Sequence, residues 1–291
     1  MKYIDVSQWQ GIIDWEKVKG NVAGVILRAG YGAGHADPQF ARNAAECNRL
    51  KIPCGAYWFS YAHNPGMAAQ EAGELLKAVK PYRMELPLAF DFEYDSVTNA
   101  AKKGVNVTRA LATAMVYAFC ETVEAGGYWC LNYANPDFLN RYFSPDVPKR
   151  FGLWLAQWPG GTPDVTKPPR EDAQIWQWGG SIIPGIIAKD ANGNIAPVDT
   201  NESYVDFAEI IRNAGMNHLS TPYADENGDP IYEYTQHTPA VKDAPLQWAK
   251  NQGLCGDVIA ETPVTWGDLA AALYRIYGPE DDKTTSGMLT D

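Results

Sequence analysis

The sequence predicts an α/β fold: an irregular, TIM-like barrel followed by a small, mainly helical module. Three observations predict it. Strand-like and helix-like segments alternate through the first two hundred residues, which implies a mainly parallel sheet. About eight strand candidates fall in that stretch, the number that closes a barrel of the (β/α)8 kind. The later strands are joined by connections with little room for helices, so the second half of the ring has lost them. A doubly wound open sheet is the alternative, but no Gly-x-Gly-x-x-Gly turn follows the first strand.

The elements follow in order. Lys2–Val6 is a short strand and Gly24–Ala29 an apolar, β-branched one. Pro38–Leu50 has helical spacing, with Phe40, Ala44 and Cys47 on one face. Cys54–Phe59 reads as a strand and the alanine-rich run Met67–Val79 as a helix. Leu86–Phe92 is a buried strand. Thr108–Ala125 is a long helix stopped by Gly126-Gly127. Tyr128–Tyr133, Leu153–Gln157 and Ile175–Trp178 are further strands. Val198-Asp199 ends the last one, and Tyr204–Ala214 is a final helix before Gly215. The domain expected from this pattern is residues 1–216.

After it the texture changes. Residues 217–240 read as a linker with a hairpin, because Asn227-Gly228 lies between Tyr223 and Tyr232. Residues 241–291 read as a module with helices at Leu246–Gln252 and Thr265–Tyr277. Thr265 and Asp268 make a capping box, and Leu269, Leu273 and Ile276 form an apolar stripe. Two helices bury little core by themselves, so this module should pack on another surface or on a second copy.

Composition narrows the function. The chain has 291 residues, 46% hydrophobic and 20% charged, which is a globular balance. No apolar run approaches the ~20 residues that cross a bilayer, and the N-terminus shows no apolar signal region. A formal charge of −11 argues against general attraction to nucleic acid. The five cysteines form no Cys-x-x-Cys pair and read as mostly buried thiols. His35, His63, His218 and His237 have no ligand spacing. Asp225, Asn227 and Asp229 fail as a calcium loop, because Pro230 and Gln236 stand where glycine and glutamate are needed. Neither a metal nor a cofactor is expected.

The most informative run is Leu86-Pro87-Leu88-Ala89-Phe90-Asp91-Phe92-Glu93. In a strand, residues two apart share a face, so Asp91 and Glu93 should leave its end side by side. Neighbouring acids push each other's proton affinities apart. One protonated and one charged carboxyl is what cleavage of a glycosidic bond requires. In a barrel the reactive groups sit at the C-terminal strand ends. Asp5 ends the first strand and Asp199 the last, so both should join the pair at one mouth. Tyr57, Tyr61, Tyr133, Trp154, Trp176 and Trp178 are candidates for stacking on sugar rings. Alternation allows Trp154 and Ala156, and likewise Trp176 and Trp178, to point inward. Gln157 and Gln177 sit at strand ends where amides can read a sugar. Arg28, inside an apolar strand, needs a partner and is read as bracing a carboxylate beside the substrate site.

These residues lie in blocks that resemble glycoside hydrolase family 25, the peptidoglycan-cleaving lysozymes. The blocks are Tyr3-Ile4-Asp5-Val6-Ser7-Gln8-Trp9-Gln10-Gly11, Val25-Ile26-Leu27-Arg28-Ala29-Gly30-Tyr31-Gly32, Gly55-Ala56-Tyr57-Trp58-Phe59, Asp91-Phe92-Glu93, Leu153-Trp154-Leu155-Ala156-Gln157-Trp158 and Val198-Asp199-Thr200-Asn201. Thr200 departs from the larger apolar residue usual there, and the loop Ile182–Pro197 is longer than usual. The resemblance implies a flattened (β/α)5(β)3 barrel and cleavage of the β-1,4 bond between N-acetylmuramic acid and N-acetylglucosamine in bacterial peptidoglycan. It implies Glu93 as general acid, Asp91 as its partner, and Asp5 and Asp199 in the same pocket. A wall-degrading domain without a visible export signal fits release through a membrane pore during lysis. Competing readings are another acetamido-sugar hydrolase, chitinase-like, and an inactive wall-binding protein. Trp248–Leu254 and Pro263–Arg275 resemble one S-layer-homology-type repeat, which implies a secondary cell-wall polymer as partner. Self-association into a homo-oligomer, or a simple covering role, is the alternative for this segment.

Overall fold

The computed structural model describes residues 1–161 and 163–219 and two short strands, Tyr223–Ala224 and Pro230–Ile231. The chain divides into two compact units, Met1–Thr221 and Pro222–Asp291. The two helices expected after residue 241, the S-layer-like repeat, and Asp225, Asn227, Asp229 and Gln236 of the rejected calcium loop lie outside the described residues.

In the first unit, nine strands alternate with eight α-helices. The strands are β1 (Lys2–Val6), β2 (Gly24–Tyr31), β3 (His35–Ala36), β4 (Cys54–Phe59), β5 (Leu88–Asp91), β6 (Cys130–Ala134), β7 (Leu153–Ala156), β8 (Ala173–Ser181) and β9 (Val198–Ser203). The ring runs β1-β2-β4-β5-β6-β7-β8-β9 and closes where β9 pairs with β1; β3 hangs from β2 as an antiparallel flap. Helices α1 (Trp15–Val18), α2 (Phe40–Leu50), α3 (Pro65–Val79), α4 (Tyr94–Lys102), α5 (Arg109–Ala125), α6 (Pro136–Arg141) and α7 (Val147–Phe151) follow the first five ring strands. Among the described residues no helix separates β7, β8 and β9. This is the expected fold, five βα units and three bare strands.

One expectation about direction is corrected. Val198 and Asp199 open β9 rather than end it, and β9 runs antiparallel to both β8 and β1. A reversed strand brings its beginning, not its end, to the mouth. Asp199 therefore reaches the expected level by the opposite route. The glycine-rich connection Ile182–Pro197 supplies the length for that reversal. Thr200, the departure from the resembled family, is fully buried, and its hydroxyl donates to the Val198 carbonyl at 2.9 Å.

Two cores result from strand alternation. Outward residues such as Ile4, Val25, Leu27, Cys54, Phe90 and Leu155 pack under the helices. Inward residues Tyr3, Ile26, Ala89, Leu131, Trp154 and Ile175 fill the barrel. Helix α8 (Phe207–Asn213) joins this inner core with Phe207 and Ile211, as does Leu219 beyond it. Asn217 ties this end together: its amide donates to the Met84 and Leu86 carbonyls at 3.0 Å and accepts from the Trp129 N–H at 2.7 Å. The interior is tight. A Cβ on Gly55 would sit 2.3 Å from the Pro87 carbonyl oxygen, so only glycine lets β4 approach the entry to β5.

Helix starts follow their caps. Asn64 accepts from the Met67 N–H at 2.9 Å ahead of Pro65, and Thr108 accepts from the Leu111 N–H at 3.2 Å. Cys47, Cys54, Cys120 and Cys130 are free and buried. In the second unit, Tyr223–Ala224 pairs antiparallel with Pro230–Ile231, the arrangement expected of a hairpin.

Candidate active site

The top layer of the barrel interior is polar. Register sets it: Arg28 lies beside Tyr57, Phe59 beside Asp91, Asp91 beside Tyr133, and Gln177 beside Asn201. These neighbours share the inward face and surround a cavity of about 220 Å³ at the mouth. Asp5, Asp91, Glu93 and Asp199 all line it, drawn from β1, the end of β5, the residue that caps α4, and the start of β9.

Asp5 is buried and held by two amides. Its Oδ2 accepts from Gln177 Nε2 at 3.0 Å and from Asn201 Nδ2 at 2.8 Å. Each amide is fixed in turn. Asn201 Oδ1 accepts from Trp154 Nε1 at 2.7 Å, and Gln177 Oε1 accepts from the Tyr133 hydroxyl at 3.0 Å and Trp158 Nε1 at 3.3 Å. Asp91 is 5% exposed, and its Oδ1 has no hydrogen-bond partner among the described residues. Glu93 lies beyond the strand proper in an extended conformation, and its N–H donates to Ser96 Oγ at 3.1 Å. Its carboxyl and that of Asp91 are hydrogen-bonding neighbours.

Burial dominates the electrostatics. Desolvation raises Asp91 well above the usual carboxylate range, with the charges of Glu93 and Asp5 adding to it. Glu93 is also raised, first by desolvation; the hydrogen bond with Asp91 opposes the rise and the charge of Asp5 adds to it. This corrects the expected cause, since Asp91 is not what lifts Glu93. Desolvation raises Asp5 against the two amide bonds, and raises Asp199 to about 7 with help from Asp5 and Glu93. Four buried acids in one pocket therefore hold protons at pH values where exposed ones would not. Among the described residues no group of His, Cys, Asp and Glu side chains is arranged to hold a metal ion.

Of the other expected site residues, Tyr57, Tyr133, Trp154, Gln177 and Arg28 line the cavity. Tyr57 and Tyr133 meet the edge of Trp154 at 6.0 and 4.8 Å. Trp176 does not join them. It pairs with the outward Leu155, packs in the outer core, and donates to the Gln157 carbonyl at 2.7 Å. Trp178 packs against the same outer core, so the inward pair on β8 is Ile175 and Gln177. Gln157 is not among the lining residues; its backbone pairs with Gln177 at 3.0 Å just above β7. Tyr61 also stands off the cavity, packed on Phe59 at 5.2 Å and Tyr31 at 6.5 Å. Arg28 braces a carboxylate as expected, but the partner is Asp37, at 2.8 Å.

Several residues at the site were not anticipated as such. Trp9 lines the mouth and is 72% exposed. Asn201 and Trp158 stand in the quoted blocks, and for Asn201 an amide two residues from Asp199, on the same strand face, was the available signal. Asp37 stands alone in a loop, and nothing around it in sequence marks it.

The sequence model described as glycosyl hydrolases family 25 matches residues 4–186, stopping before Asp199 and Asn201. No curated protein matches the chain. Among solved structures, the modular autolysin LytC from Streptococcus pneumoniae, in complex with a synthetic peptidoglycan ligand, is 27% identical with a TM-score of 0.54. That match covers 69% of this chain and 46% of LytC, so the chain spans under half of that protein's length. A family 25 glycosyl hydrolase from Bacillus anthracis is 22% identical at TM-score 0.56, covering 72% of this chain and 92% of that one. A lysozyme from Streptomyces coelicolor is 20% identical at TM-score 0.54, covering 76% and 98%; at these identities the two show a shared fold. On the match over residues 4–186, the chain belongs to glycosyl hydrolases family 25.

Proposed function

We propose that this chain is a lysozyme acting on the bacterial cell wall, cleaving the β-1,4 bond between N-acetylmuramic acid and N-acetylglucosamine in peptidoglycan. The observation that carries the reading is the convergence of Asp5, Asp91, Glu93 and Asp199 on one cavity with their proton affinities raised. The LytC structure, similar in fold, is described with a synthetic peptidoglycan ligand, which supports the substrate class.

In this reading Glu93 protonates the leaving glycosidic oxygen. The substrate's own acetamido oxygen attacks the anomeric carbon as that bond breaks, closing an oxazoline-type ring. Asp91 takes a hydrogen bond from the acetamido N–H through its open Oδ1 and steadies the positive charge. The Glu93 carboxylate then removes a proton from water, which opens the ring and restores the starting protonation. Asp5, fixed by Gln177 and Asn201, and Asp199 line the same pocket, and each stabilises the developing oxocarbenium when it is ionised. Tyr57 and Tyr133 hold the sugar against the wall of the pocket.

The test is loss of turbidity of purified cell walls, with Glu93→Gln as control, followed by identification of the new reducing end. Muramic acid at that end supports the reading, whereas glucosamine would point to another acetamido-sugar hydrolase. Equal, negligible lysis by both proteins would leave a wall-binding protein. An oxazoline-type inhibitor that fails to bind an active enzyme would overturn the substrate-assisted route while leaving the cleavage itself standing.

A further inference from the structure

Arg28 is the one cation among the described residues that line the acid pocket. It does not pair with any of the four carboxylates there. Its Nε donates instead to Asp37 Oδ2 at 2.8 Å, while Nη2 is buried without a hydrogen-bond partner among the described residues. Asp91 Oδ1, on the same cavity, is likewise buried and without a partner. A buried donor on a guanidinium and a buried acceptor on a carboxylate thus face one cavity, each without a partner among the described residues. Left to themselves, such groups close into a charge-assisted pair, often bidentate.

What opposes closure is Asp37. It is 4% exposed and fully engaged. Beyond Arg28, its Oδ2 accepts from the Gln8 N–H at 2.9 Å and its Oδ1 from the Gln39 N–H at 2.9 Å. Gln8 opens the turn Gln8–Gln10 that carries Trp9 and Gln10 to the mouth. Asp37 is therefore anchored to two backbone segments and cannot follow the arginine. The guanidinium also lies over the Tyr31 ring, 5.7 Å from its centroid.

We propose that Asp37 is a positioning residue that holds Arg28 off Asp91, so that the arginine acts on the acid pair through space while Asp91 Oδ1 stays open to substrate. This rests on the role given to Asp91 above. The groups facing Asp91 are Glu93 on its own segment, Asp5 from β1, Arg28 from β2, Tyr57 from β4, Tyr133 from β6 and Asp199 from β9. Arg28 is the only one whose charge favours the ionised form of Asp91. Burial is the main cause of that acid's raised proton affinity, and the distance of Arg28 decides how strongly the rise is opposed.

The experiment follows carboxyl carbons by 13C NMR through a pH titration of the full chain, assigning Asp91 by comparison with Asp91→Asn. Asp37→Asn is expected to lower the Asp91 midpoint by at least one pH unit, as Arg28 closes on it. Arg28→Met is expected to raise it. In the Arg28→Met background, Asp37→Asn is expected to add nothing, and Asp37→Glu in the parent chain should restore most of the parent midpoint. Cell-wall lysis measured across pH should show the acidic limb of Asp37→Asn displaced downward with kcat at least tenfold lower. An unmoved Asp91 midpoint in folded Asp37→Asn would overturn the proposal, as would a shift that persists without Arg28. Should Asp37→Asn fail to fold, an unmoved midpoint in Arg28→Met overturns it alone. The titration needs no activity: inert protein with the expected midpoints would sink the lysozyme reading and spare this one.

Discussion

Replacing Glu93 with glutamine keeps its volume and removes its proton. A transfer group of this kind is worth roughly 10²–10⁴-fold in rate. Glu93→Gln should lower wall lysis by that range while leaving the thermal midpoint near that of the parent, since Glu93 is only partly buried. Asn201 sits one step back. Its amide bonds Asp5 at 2.8 Å and accepts from Trp154 at 2.7 Å. Asn201→Ala leaves a buried indole N–H unpaired and strips Asp5 of one of two donors. It should cost about 1–3 kcal/mol in unfolding free energy, read by denaturant titration, and lower activity as well. The acids themselves were legible in the sequence because each ends an apolar run. Asp37 was not, because its meaning depends on Arg28, nine positions away across a strand reversal.

At the scale of elements, the strands and the longer helices were readable from apolar runs and caps, and their bounds agree within a few residues. Strand direction was not. An apolar run carries no arrow, so Val198-Asp199 read equally well as the end of a strand or its beginning. Face was only partly readable. In β8 the tryptophans Trp176 and Trp178 are large enough to fill either side, and what decides is the hydrogen bonding of Gln177 to Asp5 inside the barrel. Glycine at position 55 was quoted as part of a block, but its reason is steric. Gly55→Ala should push β4 from the entry of β5 and cost about 1–3 kcal/mol, measured by chemical denaturation. The same variant should weaken activity through Phe59 and Asp91, which the two strands carry side by side toward the mouth.

At the scale of the molecule, the buried acids set how stability responds to pH. Asp199 and Glu71 are each raised to about 7 from ordinary values of 3.8 and 4.5, both mainly by desolvation. Glu71, outside the cavity that holds the four acids, accepts from Ser60 Oγ at 2.5 Å and the Tyr61 N–H at 3.1 Å. A carboxyl whose affinity is higher folded than unfolded binds more protons when folded. Its contribution is complete below about pH 4 and is lost as pH rises through about 7. The barrel should therefore melt at a higher temperature at pH 5 than at pH 8. Asp199→Asn should flatten that slope and raise the melting temperature at pH 8, as followed by calorimetry. Burying charge at the mouth thus lowers stability at neutral pH in favour of chemistry there.

The reversed final strand has a consequence for when the enzyme comes alive. Asp199 and Asn201 are supplied by β9, which is also the strand that seals the ring against β1. A nascent polypeptide that has emerged only as far as residue 190 has neither an enclosed wall nor its fourth carboxylate. Under the function proposed above, hydrolysis is then a property of the finished barrel alone, and fragments stalled on the ribosome before that point should be unable to cut glycan.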